Sequence, residues 1–300
     1  MSSNRETPLN RTFRQQRSIR QPTKVEGFGF WSGQDVGVEF RPAPVDSGIV
    51  FVRHDLDDCA RIPALIRHRV QAPRRTNLVC NGNGVEMVEH ILAALSGLRI
   101  DNCEVWVDQS EMPGCDGSCL AFTSALQHAE IVEQAGWCRR LIVNETTRVG
   151  TDDEWVEARP TDSDSLSVKY RLDYKECAAI GRQTYEGIVD PETFQRDLAP
   201  ARTFMLKPEA EWLRSQGLGT RVRASDVLVF DGNGPIENQL RFRDECVRHK
   251  TLDLVGDLAL SGCDIVGQVV AYRSGHRLNA ELVRILMTEG SILESTRKTA

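Results

Sequence analysis

Two amphipathic helical runs, one in each half of the chain, sit among short strand-like runs broken by glycine and proline. This interleaving limits the fold more than any other feature, because segments of period 2 and period 3.6 must bury their apolar faces against one another, as sheets covered by helices. In the first half, Gly27-Phe28-Gly29-Phe30 bends the chain before the alternating run Val36-Gly37-Val38-Glu39-Phe40. Arg41-Pro42-Ala43-Pro44 breaks the pattern and Gly48-Ile49-Val50-Phe51-Val52 resumes it. A helix is predicted over 86–98, where Val88, Ile91, Leu92, Leu95 and Leu98 recur at helical spacing and Gly97 marks the end. Residues 104–107 alternate as a strand, and 119–134 read as a second helix.

A turn at Gly136-Trp137 precedes a fresh strand, Arg140-Leu141-Ile142-Val143. The second half then repeats the grammar of the first, with a strand over 166–170, a helix over 208–216, a turn at 231–235, a long helix from about 238 to 260, and an apolar strand over 266–272. No residue-level repeat accompanies it. At roughly 150 residues per domain, 300 residues suit two domains. The expected division is a loose basic tail at 1–13, an N-terminal α+β domain at 14–134 and a C-terminal α+β domain at 135–300. Each domain is a small sheet packed against helices, and a cleft between them can hold a site.

Composition removes several classes of function. Hydrophobic content of 40% with 27% charge is that of a soluble globular chain, and a net charge of -6 gives no global attraction to nucleic acid or anionic lipid. No apolar run approaches the roughly 20 residues needed to cross a bilayer. Residues 1–21 carry Arg5, Arg11, Arg14, Arg17 and Arg20 without the apolar centre of a secretory signal, and read mostly as a loose tail, with an arginine-rich transit peptide as the other reading. Nine scattered cysteines with no C-x-x-C pair argue against a disulfide framework or a cysteine-rich zinc site, and fit buried thiols in a reducing cytoplasm. Cys115 and Cys119 lie close in sequence, but nothing beside them would depress a thiol pKa.

The chemistry concentrates on three histidines. In the long helix His249, Asp253 and Asp257 are spaced by four and share a stripe with Lys250, opposite Val247, Leu252, Leu254, Val255 and Leu258. An imidazole and a carboxylate one turn apart can grip one ion; the same spacing also fits a solvated ion pair. Glu89 and His90 project away from the apolar face of the first helix, so a third ligand and a neighbouring carboxylate base are available. Three protein ligands, an open position and a carboxylate beside the metal compose a catalytic rather than a structural zinc site. His276, in Ser274-Gly275-His276, sits at a glycine turn of the kind that places acid–base groups. The Asn81-Gly82-Asn83-Gly84 and Asp231-Gly232-Asn233-Gly234 segments lack the context of phosphate loops and read as turns; 152–154 and 162–164 read as solvated acidic loops.

Six strings occur in one order along nearly the whole chain. They are Met87-Val88-Glu89-His90-Ile91-Leu92-Ala93-Ala94-Leu95, Ile100-Asp101-Asn102, Asp116-Gly117-Ser118, Ala201-Arg202-Thr203-Phe204, Val247-Arg248-His249-Lys250 continuing to Asp253 and Gly256-Asp257-Leu258, and Ser274-Gly275-His276 continuing to Asn279. Together they resemble the zinc-dependent UDP-3-O-acyl-N-acetylglucosamine deacetylase family of lipid A synthesis. The resemblance implies a two-domain α+β fold with the active site between the domains. It also implies Zn²⁺, with Fe²⁺ as the alternative ion, held by His90, His249 and Asp253. Glu89 would be the general base, His276 held by Asp257 the acid and oxyanion partner, and Thr203 a further oxyanion donor. Thr203, Phe204 and Lys250 would contact the acylated UDP-N-acetylglucosamine. A cytoplasmic monomer in a Gram-negative-type bacterium, with no nucleic-acid partner, completes the expectation. The alternatives are a related zinc amidase on a different acylated nucleotide-sugar and a non-catalytic precursor-binding relative. Departures from the family pattern fall at Phe30-Trp31, Met205-Leu206 and Arg221 to Asp226, the last in a region the family associates with the acyl-chain passage.

Overall fold

The computed structural model describes residues 13–295. Most of the expected basic tail, residues 1–12, lies outside them. Val36, Val38 and Phe40 alternate inward on the strand Asp35–Pro42, as their spacing predicts. That strand is part of a five-stranded sheet in the spatial order Thr23–Phe28, Asp35–Pro42, Cys103–Val107, Ile49–Arg53, Ala60–Pro63. A three-stranded meander, Arg69–Val70, Asn77–Cys80 and Asn83–Val85, then leads into helix α1 (Glu89–Gly97); helix α2 (Leu120–His128) follows.

The second half carries a seven-stranded sheet centred on Asp264–Tyr272. Its near-continuous apolar run suits a strand paired on both sides, to Trp155–Arg159 antiparallel and to Arg140–Ile142 and Leu166–Tyr174 in parallel. Four helices accompany it: the short α3 (Pro191–Thr193), α4 (Lys207–Ser215), α5 (Glu245–Leu258) and α6 (His276–Glu289). α5 packs on α6 and the seven-stranded sheet, α2 packs on the strand Thr23–Phe28, and α1 lies along α5, so the helices join the two halves into one core. The fold is α+β, sheets covered by helices, as expected.

Several local expectations change. The predicted helix over 119–134 is two elements: α2 stops at His128, Glu130 takes a left-handed φ of 56°, and Ile131–Trp137 is a strand. Its antiparallel partner is Gln15–Ile19, far upstream in the chain, so no local pattern could announce it. The expected division between residues 134 and 135 falls inside this strand. Nor are residues 14–20 loose. Arg14 bridges Asp101 and Asp264 at 2.7 Å each, Arg17 pairs with Glu133 and Arg20 with Glu130. The long helix begins at Glu245 rather than near 238, and the glycine turn before His276 opens a helix, with Gly275 at its N-cap. All nine cysteines are free; burial pushes Cys115 up to about 12 and Cys119 well above the ordinary thiol range, so neither is a reactive thiolate. No helix among the described residues is long and apolar enough to cross a membrane.

Candidate active site

The site exists because α1 and α5 can touch. A Cβ on Gly256 would lie 2.2 Å from the carbonyl oxygen of Glu89, so only glycine lets the two helices approach this closely at the start of α1. The approach brings His90 from one helix beside His249 and Asp253 from the other. One ligand atom from each of the three lies within 4.8 Å of the others, and all three side chains are buried. Asp253 Oδ1 is 3.3 Å from His249 Nε2 and 3.6 Å from His90 Nε2, with the rings nearly perpendicular at 89°. The stripe on α5 is therefore no solvated face: His249, Asp253 and Asp257 are 2%, 4% and 0% exposed.

A neighbour orients at least two of these potential ligands. His249 Nδ1 meets the carbonyl of Ala201 at 3.1 Å, which assigns the proton to Nδ1 and leaves Nε2 as the lone-pair atom. Burial drives His249 down to about 4 in spite of Asp253, so the ring is neutral at pH 7, as a ligand must be. Lys250 donates to Asp253 Oδ2 at 2.6 Å, turning Oδ1 towards the histidines. Although burial opposes it, Lys250 with His249 holds the Asp253 carboxyl well below the usual range. His90 Nδ1 is buried with no hydrogen-bond partner among the described residues, a polar atom that the protein itself leaves unsatisfied. Two imidazoles and one carboxylate are a donor set that suits zinc, and the residues fit such an ion.

Beside this cluster lies an acid–base pair. Glu89 Oε2 accepts the backbone N–H of Thr76 at 2.9 Å, and Glu89 Oε1 stands 4.0 Å from His276 Nε2. The other ring nitrogen, His276 Nδ1, donates to Asp257 Oδ2 at 2.8 Å. Burial works against a charged His276, but Asp257, with Glu89 and Asp253, outweighs it and raises the ring to about 9. Burial raises Glu89 above the ordinary carboxylate range, against the pull of His276 and His90.

Glu89, His90, His249, Asp253 and His276 line a cavity of about 770 Å³ whose walls also include Phe30, Trp31, Met205, Leu206, Leu213 and Val222. A family model for UDP-3-O-acyl N-acetylglycosamine deacetylase matches residues 16–288. The chain belongs to this deacetylase family. Curated proteins named UDP-3-O-acyl-N-acetylglucosamine deacetylase from Brucella melitensis biotype 2 (strain ATCC 23457), Brucella ovis and Brucella abortus (strain S19) are each 37% identical to it over 281 residues. The match covers 93% of this chain and 97% of each relative.

Of the residues expected from the sequence, Glu89, His90, Thr203, Phe204, His249, Lys250, Asp253 and His276 line this cavity, while Asp257 is fully buried and bonded to His276. Thr203 and Phe204 lie on its wall: Thr203 donates its N–H to Gly117 O at 2.8 Å, and Phe204 packs edge-on to His249. Gly117 has a φ of +78°, and a Cβ there would meet Asp226 O at 2.6 Å, which explains the glycine in Asp116-Gly117-Ser118. Lys250 lines the cavity while paired to Asp253. Sequence reasoning left three contributors without a role. Arg202, in a fully satisfied buried pair with Glu245 at the start of α5, fixes the segment whose Ala201 carbonyl orients His249. Asn279 donates to Asp257 Oδ2 at 2.8 Å, and its place one turn after His276 was a usable signal. Thr76 had none, since nothing in Pro73-Arg74-Arg75-Thr76 sets it apart.

Proposed function

We propose that this chain hydrolyses the 2-acetamido group of UDP-3-O-acyl-N-acetylglucosamine, releasing acetate and the free amine, a step of lipid A synthesis. The observation that carries the reading is the convergence of His90, His249 and Asp253 beside both Glu89 and His276 at one cavity. A binding protein needs neither a base nor an acid at a ligand cluster, and this chain has both.

We assign the ion as Zn²⁺, held by His90, His249 and Asp253. When bound, it supplies Lewis acidity that polarises the amide carbonyl and makes water acidic near neutral pH. Glu89 Oε1, left free by the hydrogen bond that occupies Oε2, takes the proton of the attacking water. His276, raised to about 9 and charged at pH 7, faces the carbonyl oxygen as it gains charge and then gives its Nε2 proton to the leaving nitrogen. Expelling an amide anion is not feasible, so this second proton transfer is required. Asp257 holds the imidazole through Nδ1 and keeps Nε2 on the reaction side. Thr203 offers a hydroxyl to the developing oxyanion, and Phe204 and Lys250 contact the nucleotide-sugar.

The 3-O-acyl chain runs along the apolar wall formed by Phe30, Met205, Leu213 and Val222. The departures from the family pattern at Phe30-Trp31, Met205-Leu206 and Val222-Arg223 line this cavity, which supports the wall as the part of the site that sets acyl-length preference. One chain supplies every group named, which suits a monomer, and a UDP-sugar substrate places the reaction in the cytoplasm. The test is acetate release from UDP-3-O-acyl-N-acetylglucosamine by the metal-loaded protein, with elemental analysis of the ion. Metal-loaded protein that binds this substrate but releases no acetate removes the reading.

A further inference from the structure

We infer that Thr76 is a positioning residue that locks the general base and the carboxylate behind the general acid into one rigid unit. The inference deepens the deacetylase reading and rests on it. Thr76 is 0% exposed, lies just ahead of the strand Asn77–Cys80, and uses all its polar groups on the two helices that build the site. Its N–H donates to Glu89 Oε2 at 2.9 Å. Its carbonyl accepts the N–H of Val88, the residue before α1, at 3.1 Å. Its hydroxyl donates to Asp257 Oδ1, on α5, at 2.6 Å.

Each contact settles an ambiguity in the reaction. A carboxylate has two equivalent oxygens, and a base flanked by a metal cluster can present either. The Thr76 N–H occupies Oε2, so Oε1 alone faces His276. On the other helix Asp257 Oδ2 is shared by His276 Nδ1 and Asn279 Nδ2, and among the described residues the Thr76 hydroxyl is the hydrogen-bond donor to Oδ1. Two bonds on one oxygen leave the carboxylate free to rock about its Cβ–Cγ axis; a third on the opposite oxygen stops it. The imidazole ring of His276 inherits that orientation. One threonine thus sets the distance between proton acceptor and proton donor, although it touches neither substrate nor ion.

Thr76→Val keeps the shape and both backbone contacts while removing the hydroxyl; Thr76→Ser keeps the hydroxyl. For the metal-loaded full chain, the expectation is a fall in kcat of roughly tenfold or more in Thr76→Val, with KM and metal content within about twofold. Thr76→Ser should recover most of the rate. If valine is not accommodated, Thr76→Ala removes the same hydroxyl with a smaller side chain. A second readout does not need turnover. The downfield proton resonance of His276 Nδ1, identified by its loss in His276→Ala, should shift or broaden in Thr76→Val and be restored in Thr76→Ser. A wild-type rate in Thr76→Val, equal loss in Thr76→Ser, or an unmoved Nδ1 resonance overturns the inference. An inactive wild-type protein instead counts against the deacetylase reading, and the resonance still decides the role of Thr76.

Discussion

His249 and His276 are both almost wholly buried, 2% and 8% exposed, yet the fold drives them to opposite charge states. At His249 burial prevails and the ring falls to about 4; at His276 a carboxylate 2.8 Å away reverses the same penalty and the ring rises to about 9. Desolvation disfavours an imidazolium in both places, so the difference comes from what each ring faces. His249 Nδ1 meets a neutral carbonyl, and the carboxylate near its Nε2 is already claimed by Lys250. His276 Nδ1 meets the Asp257 carboxylate directly, at 2.8 Å. The cluster that could hold an ion therefore offers neutral nitrogen from α5, and the neighbouring pair offers a charged imidazolium from α6, held by Asp257 one helical turn beyond Asp253 on α5. The comparison teaches that burial alone does not decide protonation in a site of this kind.

The sharpest way to break the contrast is at the ligand end. His249→Ala should leave the protein substoichiometric in metal by elemental analysis and abolish turnover, and full metal with full rate would remove His249 from the ligand set. On the acid–base side, Glu89→Gln should keep the metal and lower kcat by about 10²–10⁴-fold, the range of a lost general base. An activity within a few-fold of wild type would show that Glu89 takes no proton. The charge on His276 can be followed through pH, because in the proposed mechanism its protonated form is the active one and its pKa is raised. The rate should hold through neutral pH and decline as pH rises through about 9. His276→Ala should lower the plateau by about 10²-fold and flatten that limb. By the same sign, the pair with Asp257 stabilises the fold most fully below the ordinary histidine value and loses that contribution as pH rises through about 9, which melting curves of the metal-free protein can follow. The smallest effect is expected on the apolar wall: Leu213→Ala should change the preference between long and short acyl substrates by roughly tenfold, measured as the ratio of kcat/KM values, with the plateau rate preserved.

Much of the site was legible before any coordinates. The four-residue spacing of His249, Asp253 and Asp257 places them on one stripe whatever the helix packs against, and the pair Glu89-His90 stands at the head of an apolar helix. What spacing leaves open is the environment of the stripe, since an i,i+4 ion pair in water and a buried ligand pair have the same period. The misread elements are equally particular. α6 carries Leu278, Leu282, Val283 and Leu286 at helical intervals, a signal that was present and overshadowed by the Ser274-Gly275 turn. The strand Ile131–Trp137 carried no such signal, because its pairing partner, Gln15–Ile19, lies over a hundred residues upstream.

Local sequence by itself determined the α+β alternation, the helices that carry the polar stripe, and the residue types able to hold an ion and move protons, because those properties depend on periodicity and functional groups within a few turns. Only the tertiary structure decided that Gly256 lets α5 rest on Glu89, that Ala201 and Lys250 orient His249 and Asp253, and that Thr76 joins Glu89 to Asp257. Each of these joins segments far apart in the chain, and orientation and charge in a buried site are set by the partners that the fold brings within 3 Å or so, which no local window contains.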